Sequence, residues 1–175
     1  MPADISATDR LPIAAIVPAR DIDVDRVVGD FVATLRERGV RVGGLRQDMR
    51  SSGELSFVCL IDIETGASHP ILQCKVSTAK SCGLDTAALA EASSVLRRVA
   101  AGGAELVVFN RFSGMESIGQ GFAPEMLEFM SQGVPVLAIV QPRHLDAWRE
   151  FTGGLASELP AETAALDAWF ASLPG

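Results

Sequence analysis

A chain of 175 residues has the length of one domain with a well-buried core, and 48% hydrophobic with 21% charged residues excludes disordered and fibrous classes. The formal net charge of -7 and arginines scattered from Arg10 to Arg149 argue against a nucleic-acid-binding surface, which carries a basic stripe. No apolar stretch approaches the roughly 20 residues of a membrane-spanning helix, and the polar start Met1–Arg10 does not read as a signal peptide, so no membrane insertion is expected.

In chain order, residues 1–11 read as a loose leader and 12–175 as a single α/β domain. Ile13–Val17, between Pro12 and Pro18, is short and apolar enough for a strand buried on both faces. Val24, Val27, Val28, Phe31, Val32 and Leu35 then recur at helical spacing up to Gly39. Val40–Leu45 reads as a second strand, and Glu54–Glu64 with Ser68–Cys74 as a hairpin turning at Glu64-Thr-Gly66. Ser77–Asp85 reads as a loop whose Asp85 opens a long helix, closed by Gly102-Gly103. There follow a strand at Glu105–Phe109, a polar loop at Asn110–Gly121, and a helix from Pro124 to Gln132. The strand Pro135–Val140, a short helix Arg143–Phe151, a short strand Leu155–Leu159 and a final helix Ala161–Leu173 complete the chain. The alternation predicts a three-layer α/β fold: a mostly parallel sheet with helices on both faces and an inserted β-hairpin.

Ligands of such sheets bind beyond the carboxyl ends of the strands. The loop Pro18–Asp25 stands where a phosphate-binding loop would, yet it has no glycine, lysine or hydroxyl residue, and Arg20 is its one favourable charge. Asp23 or Asp25 reads as a helix-start residue; Asp21, Asp23 and Asp25 as cation ligands is the alternative. Asn110 sits at the strand end where a nucleotide hydrolase puts its magnesium-positioning Asp, and Arg111 beside it favours an anion. Glu116 is either a base or a partner for Arg111. Lys80, Ser81 and Cys82 lie in a small-residue segment before a helix, a candidate oxyanion cradle in which Cys82 is a candidate low-pKa thiol. Arg143 follows the strand Pro135–Val140 and is expected in the crevice of Arg111; His144 reads as a helix-start residue and Trp148 as core or interface packing. Cys59 reads as core, Cys74 lies at a strand end, and the three cysteines lack zinc spacing and read as reduced cytoplasmic thiols. With two histidines, a His-based metal site or a Ser-His-Asp triad has little to draw on, and no metal site is assigned.

Several segments together resemble a known family. They are Val40-Arg-Val-Gly-Gly-Leu-Arg-Gln47, Ser81-Cys-Gly-Leu-Asp-Thr-Ala-Ala-Leu89, Asn110-Arg-Phe-Ser-Gly-Met-Glu116, and Leu145-Asp-Ala-Trp-Arg-Glu-Phe151 with Gly153-Gly154. From Ile13 to about Trp169 the chain resembles the bacterial domain of unknown function 2478, which looks like a diverged branch of the P-loop nucleoside triphosphatases. A related thermophile-type nucleoside-triphosphatase family carries Asp-Glu-Ile-Gly-Lys-Met-Glu at the third segment. Laid on this sequence, Asn110 and Arg111 replace the acidic pair, Ser113 and Gly114 stand at the Gly and Lys, and Met115 and Glu116 match. The phosphate loop and the magnesium acid are thus missing together. Members of the family often accompany molybdate transport or nitrogenase genes, which implies a role in handling molybdate or tungstate.

The expected function is therefore non-hydrolysing binding of an oxyanion such as molybdate or tungstate, or of a phosphorylated small molecule, in molybdenum-related metabolism. The ligand set is Arg20, Lys80, Ser81, Cys82, Asn110, Arg111, Glu116 and Arg143. One alternative is a protein–protein interaction module with an inherited, inactive nucleotide site. The other is a residual nucleoside triphosphatase using nucleotide as ligand and Glu116 as its catalytic residue. Homo-oligomerisation stays open.

Overall fold

The computed structural model describes residues 10–75 and 78–175, and for 74, 75 and 78–82 the backbone alone. Its elements are β1 (Ile13–Val17), α1 (Val24–Glu37), β2 (Val42–Ser52), β3 (Leu55–Asp62), β4 (Ser68–Lys75), β5 (Thr78–Leu84), α2 (Thr86–Gly102), β6 (Leu106–Phe112), α3 (Gly114–Ser117), α4 (Ala123–Ser131), β7 (Val136–Val140), α5 (Leu145–Phe151), β8 (Ser157–Pro160) and α6 (Thr163–Ala171). A 3-10 turn, Pro142–His144, precedes α5. The expected leader lies mostly outside the described residues.

The strands form one sheet in the order β5-β4-β3-β2-β6-β7-β1-β8. The half from β2 to β8 is parallel, and the half from β2 to β5 is antiparallel. Strand periodicity of two sends alternate residues to opposite faces, and both faces are covered. Ala14, Ile16, Leu106, Val108, Leu137 and Ile139 pack with Val28, Phe31 and Leu35 of α1 and with Leu166 and Trp169 of α6. Ala15, Val107, Phe109, Val136 and Ala138 pack with Val95, Leu96 and Val99 of α2, Met126 and Phe129 of α4, and Trp148 of α5. Burial on both faces explains why these strands read as unbroken apolar runs.

β2 joins the two halves. It pairs with β6 only over Val42–Gly44 and with β3 over Leu45–Ser52. Gly44 stands at the change of partner with φ +111°, and a Cβ there would run into the main-chain carbonyl of Val108. The strand therefore outruns the expected Val40–Leu45, since the polar residues after Leu45 are held by β3 and not by burial.

The hairpin turn is tied inward by Asp62, which is 1% exposed. Its carboxylate accepts from the Glu64 N–H at 3.0 Å, from the Thr65 hydroxyl at 2.6 Å and from Arg98 Nη2 of α2 at 2.7 Å. Burial raises its pKa, but these donors outweigh that and hold it below the ordinary aspartate value. Across the hairpin, Arg36 Nη1 of α1 donates to the Ile63 carbonyl at 2.6 Å.

Two expectations need correction. Thr78–Leu84 is not a loop before a helix but the edge strand β5, paired antiparallel with β4. Its few β-branched residues and its glycine hid it, while pairing to a neighbour overrides local preference. Asn110 and Arg111 belong to β6 rather than to the loop after it. Asp85 caps α2 as expected, its Oδ1 accepting from the Ala87 and Ala88 N–H groups at 3.0 Å each. Among the described residues, no helix is long and apolar enough to cross a membrane.

Candidate functional site

β1 lies between β7 and β8, while the chain leaves it through α1 for β2 on the far side of β6 and β7. This change of direction opens a crevice beyond the carboxyl ends of β1, β6 and β7, where open α/β sheets bind ligands. The chain crosses its floor at Pro18–Asp23, with Asp21 in the left-handed region at φ +64°. Asp23 caps α1, its carboxylate accepting from the Arg26 N–H at 3.1 Å. Asp25 follows in the first turn. The helix end that would face a phosphate thus carries two of the chain's own carboxylates, of which Asp23 accepts a helix-start N–H.

A bulge in β6 shapes the opposite wall. Phe109 pairs with Ala138 and Phe112 with Val140, so β6 spends three steps where β7 spends two. Phe109 and Phe112 consequently enter the same core cluster, although residues three apart in a regular strand face opposite ways. Phe112 is anchored by Trp148 and Phe151, with both ring centroids 5.2 Å away. Between the phenylalanines, Asn110 and Arg111 are freed for polar contacts. Asn110 Nδ2 donates to Gln47 Oε1 at 2.9 Å, and Arg111 Nη2 donates to Asp25 Oδ2 at 3.1 Å.

Arg111 lines a cavity of about 570 Å³ together with Arg20, Ser113, Gln141, Arg143 and His144. Three arginines that follow or end β1, β6 and β7 thus line one cavity. Arg143 Nε lies 3.2 Å from His144 Nε2. On its other side, Asp25 lines a second cavity with Asp23, Gln47, Asp48 and Arg46. Burial pushes the Asp25 carboxyl above the ordinary aspartate value, Asp23 and Asp48 push the same way, and Arg111 and Arg46 only partly offset them.

Of the expected ligand residues, the structure brings together Arg20, Arg111 and Arg143 at one cavity. Asn110 is turned to Gln47 instead. Glu116, 5% exposed, pairs with neither Arg111 nor the cavity. Its Oε2 accepts from the Ser113 N–H at 3.0 Å and the Ser113 hydroxyl at 2.8 Å, and its Oε1 from the Phe122 N–H at 3.1 Å. Both oxygens are engaged in closing the loop around α3. The side chains of Lys80, Ser81 and Cys82 lie outside the described residues, and their strand is at the opposite edge of the sheet from β8. Among the described residues, no three His, Cys, Asp or Glu side chains gather as a metal-ligand group. Cys59 is buried and unpaired, and Trp148 is fully buried. Sequence reasoning missed Asp25 as the partner of Arg111, since 86 positions separate them and no local pattern links them. Ser113 and Gln141 lie in the strand-end segments Asn110–Gly121 and Gln141–His144 where a ligand was expected, but were not in the expected ligand set.

Residues 13–169 match the family described as protein of unknown function DUF2478. The chain belongs to that family. It is also 35% identical over 172 residues to the molybdenum import ATP-binding protein ModC 2 of Bradyrhizobium diazoefficiens, an alignment covering 97% of this chain but only 19% of that protein. The crystal structure of THEP1 from the hyperthermophile Aquifex aeolicus superposes with a TM-score of 0.64 at 14% identity, over 91% of this chain and 95% of that one. The fold is P-loop nucleoside triphosphatase-like, as the sequence resemblance implied.

Proposed function

We propose that the crevice between β1, β6 and β7 binds a small anion, an oxyanion such as molybdate or tungstate or a phosphorylated small molecule, and does not hydrolyse it. The observation that carries this reading is the convergence of Arg20, Arg111 and Arg143 on one cavity. Guanidinium groups present paired N–H donors that match the oxygens of tetrahedral anions. Three cations in one crevice of an acidic chain are otherwise costly, because like charges repel and Asp25 compensates only one of them.

Two features favour binding without hydrolysis. Asp23 caps the start of α1 where a triphosphate would need bare N–H groups, and the charges of Asp23 and Asp25 oppose it. Asn110 and Arg111 stand where a magnesium-holding acid is needed, and both oxygens of Glu116 are already hydrogen-bonded within their own loop, away from the cavity. The molybdenum assignment draws on the named role of the Bradyrhizobium relative. That relative also favours a second reading, a module acting beside an ATP-binding component, since a stretch like this whole chain is there part of a longer ATP-binding protein.

A thermal-shift panel of molybdate, tungstate, sulfate, phosphate and nucleotides, each with and without magnesium, tests the first reading. A ligand at about 100 times its dissociation constant adds roughly 2.7 kcal/mol of stability. The expected result is a magnesium-independent shift by divalent oxyanions that Arg111→Ala abolishes. A shift by nucleoside triphosphate alone, requiring magnesium and accompanied by turnover, would replace this reading with hydrolysis.

A further inference from the structure

We propose that Asp25 is a resident counter-anion for Arg111, a carboxylate that an incoming oxyanion must displace, and that it thereby sets which anions the crevice accepts. The proposal rests on the anion-binding reading above and adds a competitor built into the chain.

Four observations carry it. The Asp25–Arg111 pair divides two cavities, one lined by Arg20, Arg111 and Arg143, the other by Asp23, Asp25 and Asp48. Both side chains remain reachable from solvent, at 26% exposure for Arg111 and 32% for Asp25. The pair is made through one bond of 3.1 Å, where a guanidinium and a carboxylate can make two. Arg111 Nη1 and Asp25 Oδ1 are both buried without a hydrogen-bond partner among the described residues, so the second bond of a two-bond pair is unmade.

Release of Asp25 is also cheap on its own side. It sits in the first turn of the 14-residue helix α1, where a carboxylate is favoured with or without Arg111. Asp23 from the same helix start and Asp48 from β2 repel it, and Arg46 of β2 is a second cation toward which it can turn. A tetrahedral anion of charge two offers Arg111 more than one carboxylate oxygen does, whereas a weak monovalent anion does not outcompete it. Asp25 then acts as a threshold that admits divalent oxyanions and rejects halide or carboxylate. Since a protonated Asp25 no longer holds Arg111, anion affinity rises as pH falls toward the elevated pKa of Asp25.

Calorimetric titration with sulfate, whose charge stays constant at neutral and mildly acidic pH, tests this in wild type, Asp25→Asn, Arg111→Ala and His144→Gln. His144 is the imidazole lining the same cavity, so its replacement serves as the control. Asp25→Asn is expected to bind sulfate at neutral pH about tenfold more tightly than wild type and to lose most of the rise on acidification. His144→Gln is expected to keep that rise. Arg111-dependent binding in wild type, with no gain in Asp25→Asn, overturns the counter-anion and leaves the crevice reading standing. Absence of sulfate binding in both wild type and Asp25→Asn overturns both. A carboxyl NMR titration of Asp25 needs no ligand and covers the case in which Asp25→Asn fails to fold. The Asp25 pKa should rise further in Arg111→Ala, and an unchanged value overturns the pairing.

Discussion

Replacing Glu116 separates a structural carboxylate from a catalytic one. The side chain is 5% exposed and accepts three hydrogen bonds, two of them from the main-chain N–H groups of Ser113 and Phe122. Glu116→Gln keeps one acceptor oxygen and turns an amide N–H₂ toward a donor at the other position. At least one donor is then orphaned, at about 1–3 kcal/mol, and the charge assistance of the remaining bonds is lost. Phe122 is itself 8% exposed, so water does not readily replace that partner. The expected loss is about 2–3 kcal/mol, or about 4–12 °C in Tm for a chain of this size. Glu116→Ala orphans both main-chain donors and should cost about 3–5 kcal/mol. Urea unfolding with an unchanged m-value measures the loss. A loss below about 0.5 kcal/mol, the range of ordinary surface changes, would refute the capping role.

Gly44→Ala should destabilise the protein by about 3 kcal/mol, combining left-handed strain at φ +111° with a clash against the Val108 carbonyl, measured as a fall in urea midpoint. Asp62→Asn should cost about 2 kcal/mol at neutral pH, because Arg98 loses its buried partner. The Asp62 pKa is lowered on folding, so its contribution is complete above the unfolded value and disappears as pH falls through the folded one. The gap between wild type and Asp62→Asn in urea midpoint should therefore close below about pH 4 and be constant above about pH 5, given an ordinary unfolded aspartate.

The parts of the fold that burial dictates were legible in the sequence. β1, β7 and the apolar first half of β6 are short runs covered on both faces, and α1 and α2 carry apolar stripes ended by Gly39 and Gly103. What pairing alone dictates was not legible. The polar half of β2, from Arg46 to Ser52, is a strand because β3 lies beside it, and β5 is one because β4 does. In the crevice, the arginines were readable as charges following strands. Their convergence depends on the order β6-β7-β1, and the release of Asn110 and Arg111 depends on the bulge between Phe109 and Phe112. The Asp25–Arg111 pair joins residues from two separate βα units, so no local pattern announces it. Glu116 kept its match to the related motif, yet its surroundings make it a loop clasp.

The most direct measurement is calorimetric titration of wild type and Arg143→Ala with molybdate, without magnesium. Arg143 is exposed and its side chain bonds its neighbour His144, so its removal should leave the fold intact. Binding at one site in wild type, weakened about tenfold or more in Arg143→Ala with Tm unchanged, is the predicted result; tenfold corresponds to about 1.4 kcal/mol for one guanidinium contact. Equal affinity in the two proteins, or no binding of molybdate, tungstate, sulfate or phosphate to wild type, would contradict the arginine crevice as an anion site.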